Sequence, residues 1–177
     1  LAFIFLFDSC AVNPVTGKKE FMLMSVEQEI ALGRQSDPSI VAQFGIYQDE
    51  KIQQFINQKG IENGIRLSTA IGGSTNVALH IPAIGYEADC EITMDLFEEL
   101  CRSTPHIAKM NPAAAPNVPD FHQAGGVSAV MKELLPILHG DALTVTGKTI
   151  AENVAAVAAA DRAIIKTMAD PWSKEGG

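Results

Sequence analysis

The sequence predicts a helix-rich α/β protein with a few short strands. Apolar residues recur at helical spacing in several segments, for example at Leu96, Phe97 and Leu100. Short runs of β-branched and aliphatic residues, such as residues 143–145, lie between these segments and favour extended backbone. A hydrophobic content of 47% with 19% charged residues excludes an extended disordered chain. The 177 residues are therefore expected to form one globular domain with an appendage.

The first elements predicted are a turn, a strand and a capped helix. The string "NPVTG" at residues 13–17 consists of typical turn residues, and residues 21–24 follow as a short strand. Ser25 is expected to cap a helix, with Gln28 at its third position completing a capping box. The Asp37-Pro38 pair predicts a break or a restart of that helix, because proline lacks the amide proton that a helix interior needs.

A second helical pattern begins at Asp49, with Phe55 and Ile56 on its apolar face. Further along, the small residues Gly72-Gly73-Ser74 precede a helix that starts near Thr75. Such residues leave backbone amides exposed at a helix start, where they can bind an anion or a carboxylate. The alternative is a tight connection between two elements without a ligand, and spacing alone leaves both interpretations open.

The remaining elements are predicted from caps, prolines and glycines. Thr93 is expected to cap a helix that ends before Pro105. Gly125-Gly126 is expected to interrupt the next helix, over residues 121–135, where close packing needs small residues. The other predicted elements are a short strand at 106–110, a proline-rich surface loop at 111–120 and a possible strand at 164–166.

The string "ALTVTGKT" at residues 142–149 satisfies a relaxed phosphate-binding loop pattern. A phosphate loop needs a flexible glycine-rich turn, whereas residues 143–146 are bulky or β-branched and prefer a strand. We therefore predict a strand at 143–145, a turn at Gly147 and a helix through Ile150 and Val154. Lys148 and Thr149 are then expected to start this helix, without a nucleotide.

Charge and cysteine usage exclude further classes. The net charge is −8 and the thirteen lysines and arginines are scattered, so no basic stripe exists for nucleic acid. No apolar run is long enough to span a bilayer. Cys90 and Cys101 are read as a partly buried loop thiol and a small buried hydrophobe, and the four histidines lie far apart. No metal site and no disulfide framework are therefore expected.

The head of the chain looks like the end of a lipoprotein signal. The apolar residues 1–9 end at Cys10, which is the position of the acylated residue in such signals. Asp8 stands where a small residue is usual, and no basic region precedes the apolar stretch. The alternative is a buried amino-terminal strand. Cys10 is therefore a candidate lipidation site, and membrane association is expected only if it is lipidated.

Residues 1–60 resemble the amino-terminal part of the periplasmic lipoprotein zinc metallopeptidases. The strings "CAVNPVTG" and "SVEQEIALG" carry this resemblance. That family binds zinc through a later helix with His-Glu-x-x-His, and no histidine of this sequence is followed by glutamate. The resemblance therefore implies neither a zinc site nor protease activity in this part alone.

Residues 61–177 resemble the middle of the dihydroxy-acid dehydratases, a family shared with phosphogluconate dehydratase. Five strings carry the resemblance in order: "IENGIRLSTAIGGSTNVALHIPAI", "FEELCRSTPHIAKMNP", "DFHQAGGVSAVMKELL", "HGDALTVTGKTIAENV" and "ADPWSKEGG". It implies a hydro-lyase that converts 2,3-dihydroxy acids to 2-keto acids, in branched-chain amino-acid or sugar-acid metabolism. An iron–sulfur cluster and magnesium serve the full-length family, and "TVTGKT" has no nucleotide role there.

Few site residues are implied within this sequence. The family's cluster motifs lie upstream of the matched part and its serine-rich base loop lies downstream, so no catalytic residue is expected here. Neither Cys90 nor Cys101 falls in a cluster motif, and the chain itself is expected to bind no cofactor. The expected neighbours of the substrate are the residues of the "GGSTN" turn: Gly73, Ser74, Thr75 and Asn76.

These observations predict three parts: a signal-like segment at 1–10, a metallopeptidase-like helical segment at 11–60 and a dehydratase-like part at 61–177. The join near Gly60 is read as a fusion or an assembly artefact, and both ends of the chain look cut. The leading interpretation is an inactive, incomplete piece of a larger cytoplasmic α/β hydro-lyase with a helical amino-terminal appendage. The alternatives are an envelope lipoprotein metallopeptidase lacking its catalytic helix, and a non-catalytic interaction protein.

The partners expected are a small-molecule substrate in the full-length family and further copies of the chain. Val77, Leu79, Ile81 and Ile84 surround more than one face of their helix, which indicates a helix covered on several sides. We therefore expect exposed apolar surface and a homo-oligomer.

Overall fold

The computed structural model describes residues 10–12, 19–21, 25–44 and 54–176. The chain divides into two compact units, Leu1–Gln48 and Asp49–Gly177. The boundary between the units precedes the predicted join, and Gly60 lies in the first turn of a helix of the second unit. The predicted three-part division stays a prediction.

In the first unit, two strands form an antiparallel pair ahead of one long helix. Strand β1 (Cys10–Val12) pairs with β2 (Lys19–Phe21), with Cys10 opposite Phe21. The predicted strand at 21–24 thus overlaps β2 at Phe21, and residues 22–24 lie outside the described part. Helix α1 (Val26–Phe44) begins with the predicted capping box: the amide of Ser25 donates to Gln28 Oε1 (2.9 Å), and the amide of Gln28 donates to Ser25 Oγ (3.3 Å).

The predicted break at Asp37-Pro38 is wrong, because α1 continues through Pro38. Proline costs the helix one backbone hydrogen bond, and that local cost does not end a helix whose neighbouring turns are satisfied. Ser36 Oγ donates to the carbonyl of Leu32 (2.9 Å) and Ser39 Oγ to that of Ser36 (2.6 Å), which adds side-chain bonds around the proline.

The described part of the second unit begins at residue 54 with turns, where a helix was predicted. Residues 49–53 of the helix expected from Asp49 lie outside the described part, and Phe55 and Ile56 form a turn and a bend, so the prediction is wrong there. The next described helix begins at Gln58, because Asn57 has extended backbone and its Oδ1 accepts from the amide of Gly60 (3.0 Å).

Six α-helices and one 3₁₀ turn are described in this unit. Thr93 caps α4 and Thr149 caps α7, as predicted. Gly125 and Gly126 separate α5 from α6 with φ angles of 117° and 59°, and a Cβ at Gly125 would lie 2.6 Å from Ala129 Cβ, which confirms the close packing expected there. The elements are α2 (Gln58–Ala70), α3 (Thr75–Glu87), α4 (Met94–Arg102), α5 (Val118–Gln123), α6 (Gly126–Leu134), the 3₁₀ turn Leu135–Ile137 and α7 (Ile150–Ala155).

The strands predicted for the second unit are reduced to isolated bridges. Within residues 54–176 the antiparallel bridges are His106–Ser173, Ala108–Ile165, Leu143–Thr149 and Thr167–Asp170. The strand predicted at 143–145 is wrong, because Val145, which is 84% exposed, lies in the turn closed by the bond from the Gly147 amide to the Thr144 carbonyl. The helix-rich part of the fold prediction is confirmed, while the α/β part holds only for the β1–β2 pair and these bridges.

Two apolar clusters form the interior of the second unit. The larger one is built around Ile107, Leu134 and Ile165, all fully buried, where the chain segments before α5 and after α7 cross α6. The smaller one joins α2 to α4 through Ile61, Ile65 and Leu100, with Cys101 packed against it. Among the described helices, none is both long and apolar enough to cross a bilayer.

Helix α3 exposes apolar side chains. Leu79 is 69% exposed and Ile84 is 50% exposed, while Val77 and Ile81 are half-buried. The expectation that α3 leaves apolar surface uncovered is met for Leu79 and Ile84, and the homo-oligomer stays a prediction.

Candidate functional site

The turn predicted to adjoin a substrate joins α2 to α3. Ile71 ends α2, and the amide of Gly73 donates to the carbonyl of Ser68 (2.8 Å), which folds the chain back over the last turn of that helix. Ser74 then takes an extended conformation and its Oγ accepts from the amide of Asn76 (3.2 Å), which starts α3. Gly73, Ser74, Thr75 and Asn76 are all exposed to solvent.

Both glycines of this turn are required by its geometry. Gly72 has a φ of 72°, and a Cβ there would lie 3.0 Å from His106 Nε2. A Cβ on Gly73 would overlap Ser68 Oγ and lie 3.0 Å from the carbonyl oxygen of Ser68. The turn is therefore a tight connection between two helices, which was one interpretation of the sequence. The same geometry is compatible with the other interpretation, a site for an anion or a carboxylate.

The start of α3 also leaves backbone donors exposed. The amide of Asn76 is bonded to Ser74 Oγ and that of Val77 to the Ser74 carbonyl (2.9 Å). The amides of Ser74 and Thr75 have no acceptor among the described residues. They lie at the positive end of the α3 dipole, in a solvent-exposed turn, which is an arrangement that attracts a carboxylate.

His106 lies behind the turn, and sequence reasoning did not find it. Its Nε2 donates to the carbonyl of Ala108 (2.9 Å), and its ring is the group that a side chain at Gly72 would meet. Burial lowers the pKa of His106, the bond to Ala108 opposes this, and the charge of Lys109 lowers the pKa further. A neutral His106 that donates from Nε2 keeps Nδ1 as an acceptor. No local sequence signal marks this residue, because it reaches the turn through tertiary contacts only.

Backbone bonds bring His106 to this position. The amides of Ile107 and Ala108 both donate to the carbonyl of Ala70, at 2.9 and 3.1 Å, so the end of α2 is fixed to the buried segment 106–108. On the other side of that segment, the amide of Trp172 donates to the carbonyl of His106 (2.9 Å). The turn after α2 is therefore attached directly to the larger core.

The other predicted site positions lie apart from this turn. Cys10 is in β1 of the first unit, and its lipidation stays a prediction. Cys90 Sγ donates to the carbonyl of Ala88 (3.4 Å), and Cys101 Sγ is 3.4 Å from Thr69 Oγ1. In the part of the chain that the structure describes, no three His, Cys, Asp or Glu side chains converge as metal ligands.

The phosphate-loop-like string forms a self-contained turn. The amide of Gly147 donates to the Thr144 carbonyl (2.9 Å), and the amide of Thr144 donates to the Lys148 carbonyl (2.9 Å). Thr149 and Glu152 form a capping box at the start of α7. Phosphate binding requires amides that point to one common acceptor. The amides of Thr144 and Gly147 are bonded within the turn instead.

Comparison with known proteins identifies the family to which this chain belongs. Residues 19–153 match the family model described as Dihydroxy-acid/6-phosphogluconate dehydratase N-terminal, so the chain belongs to that dehydratase family. The similar curated relatives are dihydroxy-acid dehydratases. The relative from Ignicoccus hospitalis is 43% identical over 70% of this chain, which corresponds to 23% of the relative's length. The relative from Moorella thermoacetica is 44% identical over 65% of this chain, which corresponds to 21% of the relative's length. The relative from Leptothrix cholodnii is 39% identical over 87% of this chain and 28% of its own length.

The chain thus spans about a quarter of the length of the curated relatives it matches. The resemblance to the dehydratases is confirmed, and the family match covers residues 61–153 of the part predicted to carry it. The family match begins at residue 19, inside the segment that resembles the metallopeptidases, and nothing in these matches supports the metallopeptidase resemblance.

Proposed function

We propose that this chain is part of a hydro-lyase that dehydrates 2,3-dihydroxy acids, or sugar acids, to 2-keto acids. The observation that carries the proposal is the match of residues 19–153 to the dehydratase family. The relatives reported above are dihydroxy-acid dehydratases, and the aligned part covers most of this chain. The place of such a reaction is branched-chain amino-acid biosynthesis in the cytoplasm, and the chain alone is expected to show no turnover.

Within this function, the role assigned to Gly73, Ser74, Thr75 and Asn76 is to hold the carboxylate of the acid. The exposed amides of Ser74 and Thr75 supply two donors at the start of a 13-residue helix. The hydroxyl of Thr75 and the side-chain amide of Asn76 are further polar groups beside them. Because Gly73 carries no side chain, an acid group can approach the backbone closely.

The cofactors of the family are not assigned to residues of this chain. An iron–sulfur cluster needs several converging thiolates, and the thiols of Cys90 and Cys101 contact the Ala88 carbonyl and Thr69 instead. The described residues also hold no group of three carboxylate or histidine ligands for magnesium. The role proposed for this chain is therefore substrate binding and orientation, and no proton-transfer step is derived from it.

The test is a binding measurement with matched cap variants. Saturation-transfer NMR with 2,3-dihydroxyisovalerate is expected to show contact with the wild-type chain and a loss of contact in Ser74→Ala. The control is Thr93→Ala, which removes the equivalent cap of α4, so both variants lose a similar cap stabilisation of about 1 kcal/mol.

The two variants separate a binding role from a stability role. Binding lost in Ser74→Ala and kept in Thr93→Ala supports the turn as the substrate site. Equal binding in all three proteins, or equal loss in both variants, contradicts it. As a second test, residues 61–177 can replace the matching part of the Moorella thermoacetica enzyme, where Asn76→Ala is expected to raise KM for the dihydroxy acid.

A further inference from the structure

Two lysines lie over the chain's single tryptophan. Lys109 Nζ is 5.4 Å and Lys166 Nζ is 4.9 Å from the centroid of the Trp172 ring. Trp172 is 45% exposed, whereas both lysines are half-buried. Both ammonium groups thus reach one solvent-exposed aromatic ring while their stems are packed against the protein.

Backbone bonds hold the three residues in place. The amide of Lys166 donates to the carbonyl of Ile107 (2.7 Å), and that of Trp172 donates to the carbonyl of His106 (2.9 Å). Ala108 and Ile165, which precede the two lysines in the chain, form a bridge and are fully buried. The arrangement is therefore fixed by the core and does not depend on flexible surface loops.

The positive charge at this ring is not neutralised by the surrounding protein. Among the described residues, no carboxylate lies within ion-pair distance of Lys109 or Lys166, although the chain carries a net charge of −8. Asp170 and Glu175, the carboxylates nearest to Trp172 in sequence, form no ion pair with either lysine in the described part of the chain. Both ammonium groups lie within 5.4 Å of the same ring centroid, so an anion beside the ring is attracted by both charges.

We propose that Lys109, Lys166 and Trp172 form a binding site for a phosphate group, free or carried as a monoester. Lysine binds phosphate as a point charge, and two such charges match the two charges of phosphate near neutral pH. The exposed ring provides an apolar wall beside the anion. This site uses none of the residues 73–76 and does not rest on the proposed dehydratase function.

The single tryptophan allows a direct test. Trp172 fluorescence is titrated with inorganic phosphate at constant ionic strength, with potassium chloride as the balancing salt. A saturable change is expected for the wild type, and Lys109→Met and Lys166→Met are each expected to weaken binding about tenfold. Lys174→Met is the control, since Lys174 is exposed close by in the sequence and is not one of the two lysines over the ring.

Further variants separate this site from overall charge and from the substrate turn. Lys109→Arg and Lys166→Arg keep the charge and are expected to keep binding, which guards against a folding defect in the methionine variants. Ser74→Ala is expected to leave the phosphate titration unchanged. The proposal is overturned if the wild type shows no saturable change, if chloride alone reproduces it, or if Lys174→Met weakens binding as much as the ring lysines do.

Discussion

Replacing Gly73 by alanine is expected to destabilise the second unit by crowding the end of α2. The new Cβ would overlap Ser68 Oγ and lie 3.0 Å from the Ser68 carbonyl oxygen, which already accepts from the amide of Gly73. The overlap with the hydroxyl is relieved only if Ser68 changes its rotamer, and the carbonyl cannot move away freely because it belongs to the helix backbone. Overpacking of this kind costs roughly 1–3 kcal/mol, out of about 5–15 kcal/mol for a typical domain.

Urea unfolding followed by Trp172 fluorescence measures this loss, because the only tryptophan lies in the second unit. Ser68→Ala in the same chain removes the hydroxyl, so Gly73→Ala is expected to cost less in that background. Gly64→Ala is the matched control: Gly64 lies inside α2 with no atom within 4 Å of an added Cβ, and alanine should stabilise by about 0.5–1 kcal/mol. A Gly73→Ala variant as stable as the wild type, or a Ser68→Ala background that changes nothing, would refute the reasoning.

Three further predictions address the core, the acid limb of stability and the string "TGKT". Ile165→Ala should lower the free energy of unfolding by about 2–5 kcal/mol because Ile165 is fully buried, whereas Val127→Ala, at a position 44% exposed, should change it little; similar values in urea titrations would contradict the core assignment. Burial raises the pKa of Glu62, but hydrogen bonds from Gln58 and His139 outweigh it and hold the pKa below the ordinary value of 4.5. A lowered folded-state pKa stabilises the protein above the unfolded pKa, and this contribution is lost as pH falls through the folded value, so Glu62→Gln should flatten the acid limb of stability measured between about pH 3 and 6. Calorimetric titration with Mg-ATP should give no heat, and micromolar binding that disappears in Lys148→Ala would disprove the assignment of that string as a structural turn.

Local signals in the sequence were sufficient to locate the helix starts after Ser25, Thr93 and Thr149. The capping pairs at Ser25 and Thr149 lie within four residues of their partners, so their geometry depends on the neighbouring sequence alone. The glycine pair between α5 and α6 is equally local, because positive φ angles favour glycine whatever the surroundings.

Pairing between distant segments was not predictable in the same way. Extended residues at 106–110 and 164–166 were expected as strands, yet they meet only at the Ala108–Ile165 bridge because crossing segments pack against helices instead of forming a sheet. The helix break expected at Pro38 is wrong, because a proline lowers the stability of a helix without necessarily ending it.

The candidate site likewise has a local part, which the sequence indicated, and a part formed by distant residues, which it did not. Gly73 and Ser74 belong to a turn whose residues are consecutive, so the sequence indicated it directly. His106 belongs to the same place only because its neighbours bond to the end of α2, and no spacing rule relates it to Gly72. Sequence patterns thus indicated the turn of the candidate site and missed the side chain behind it.

The double acceptance by the Ala70 carbonyl has a consequence for local opening of the molecule. The amides of Ile107 and Ala108 are buried and both bonded to that one oxygen, so their hydrogens can exchange with solvent only when the core itself opens. A few residues away, the amides of Ser74 and Thr75 are exposed and should exchange almost freely. The slowest and the fastest exchanging positions of this unit are therefore expected to lie on either side of the last turn of α2. A ligand on the turn would then bind next to a rigid part of the core, so that binding requires little ordering of the backbone.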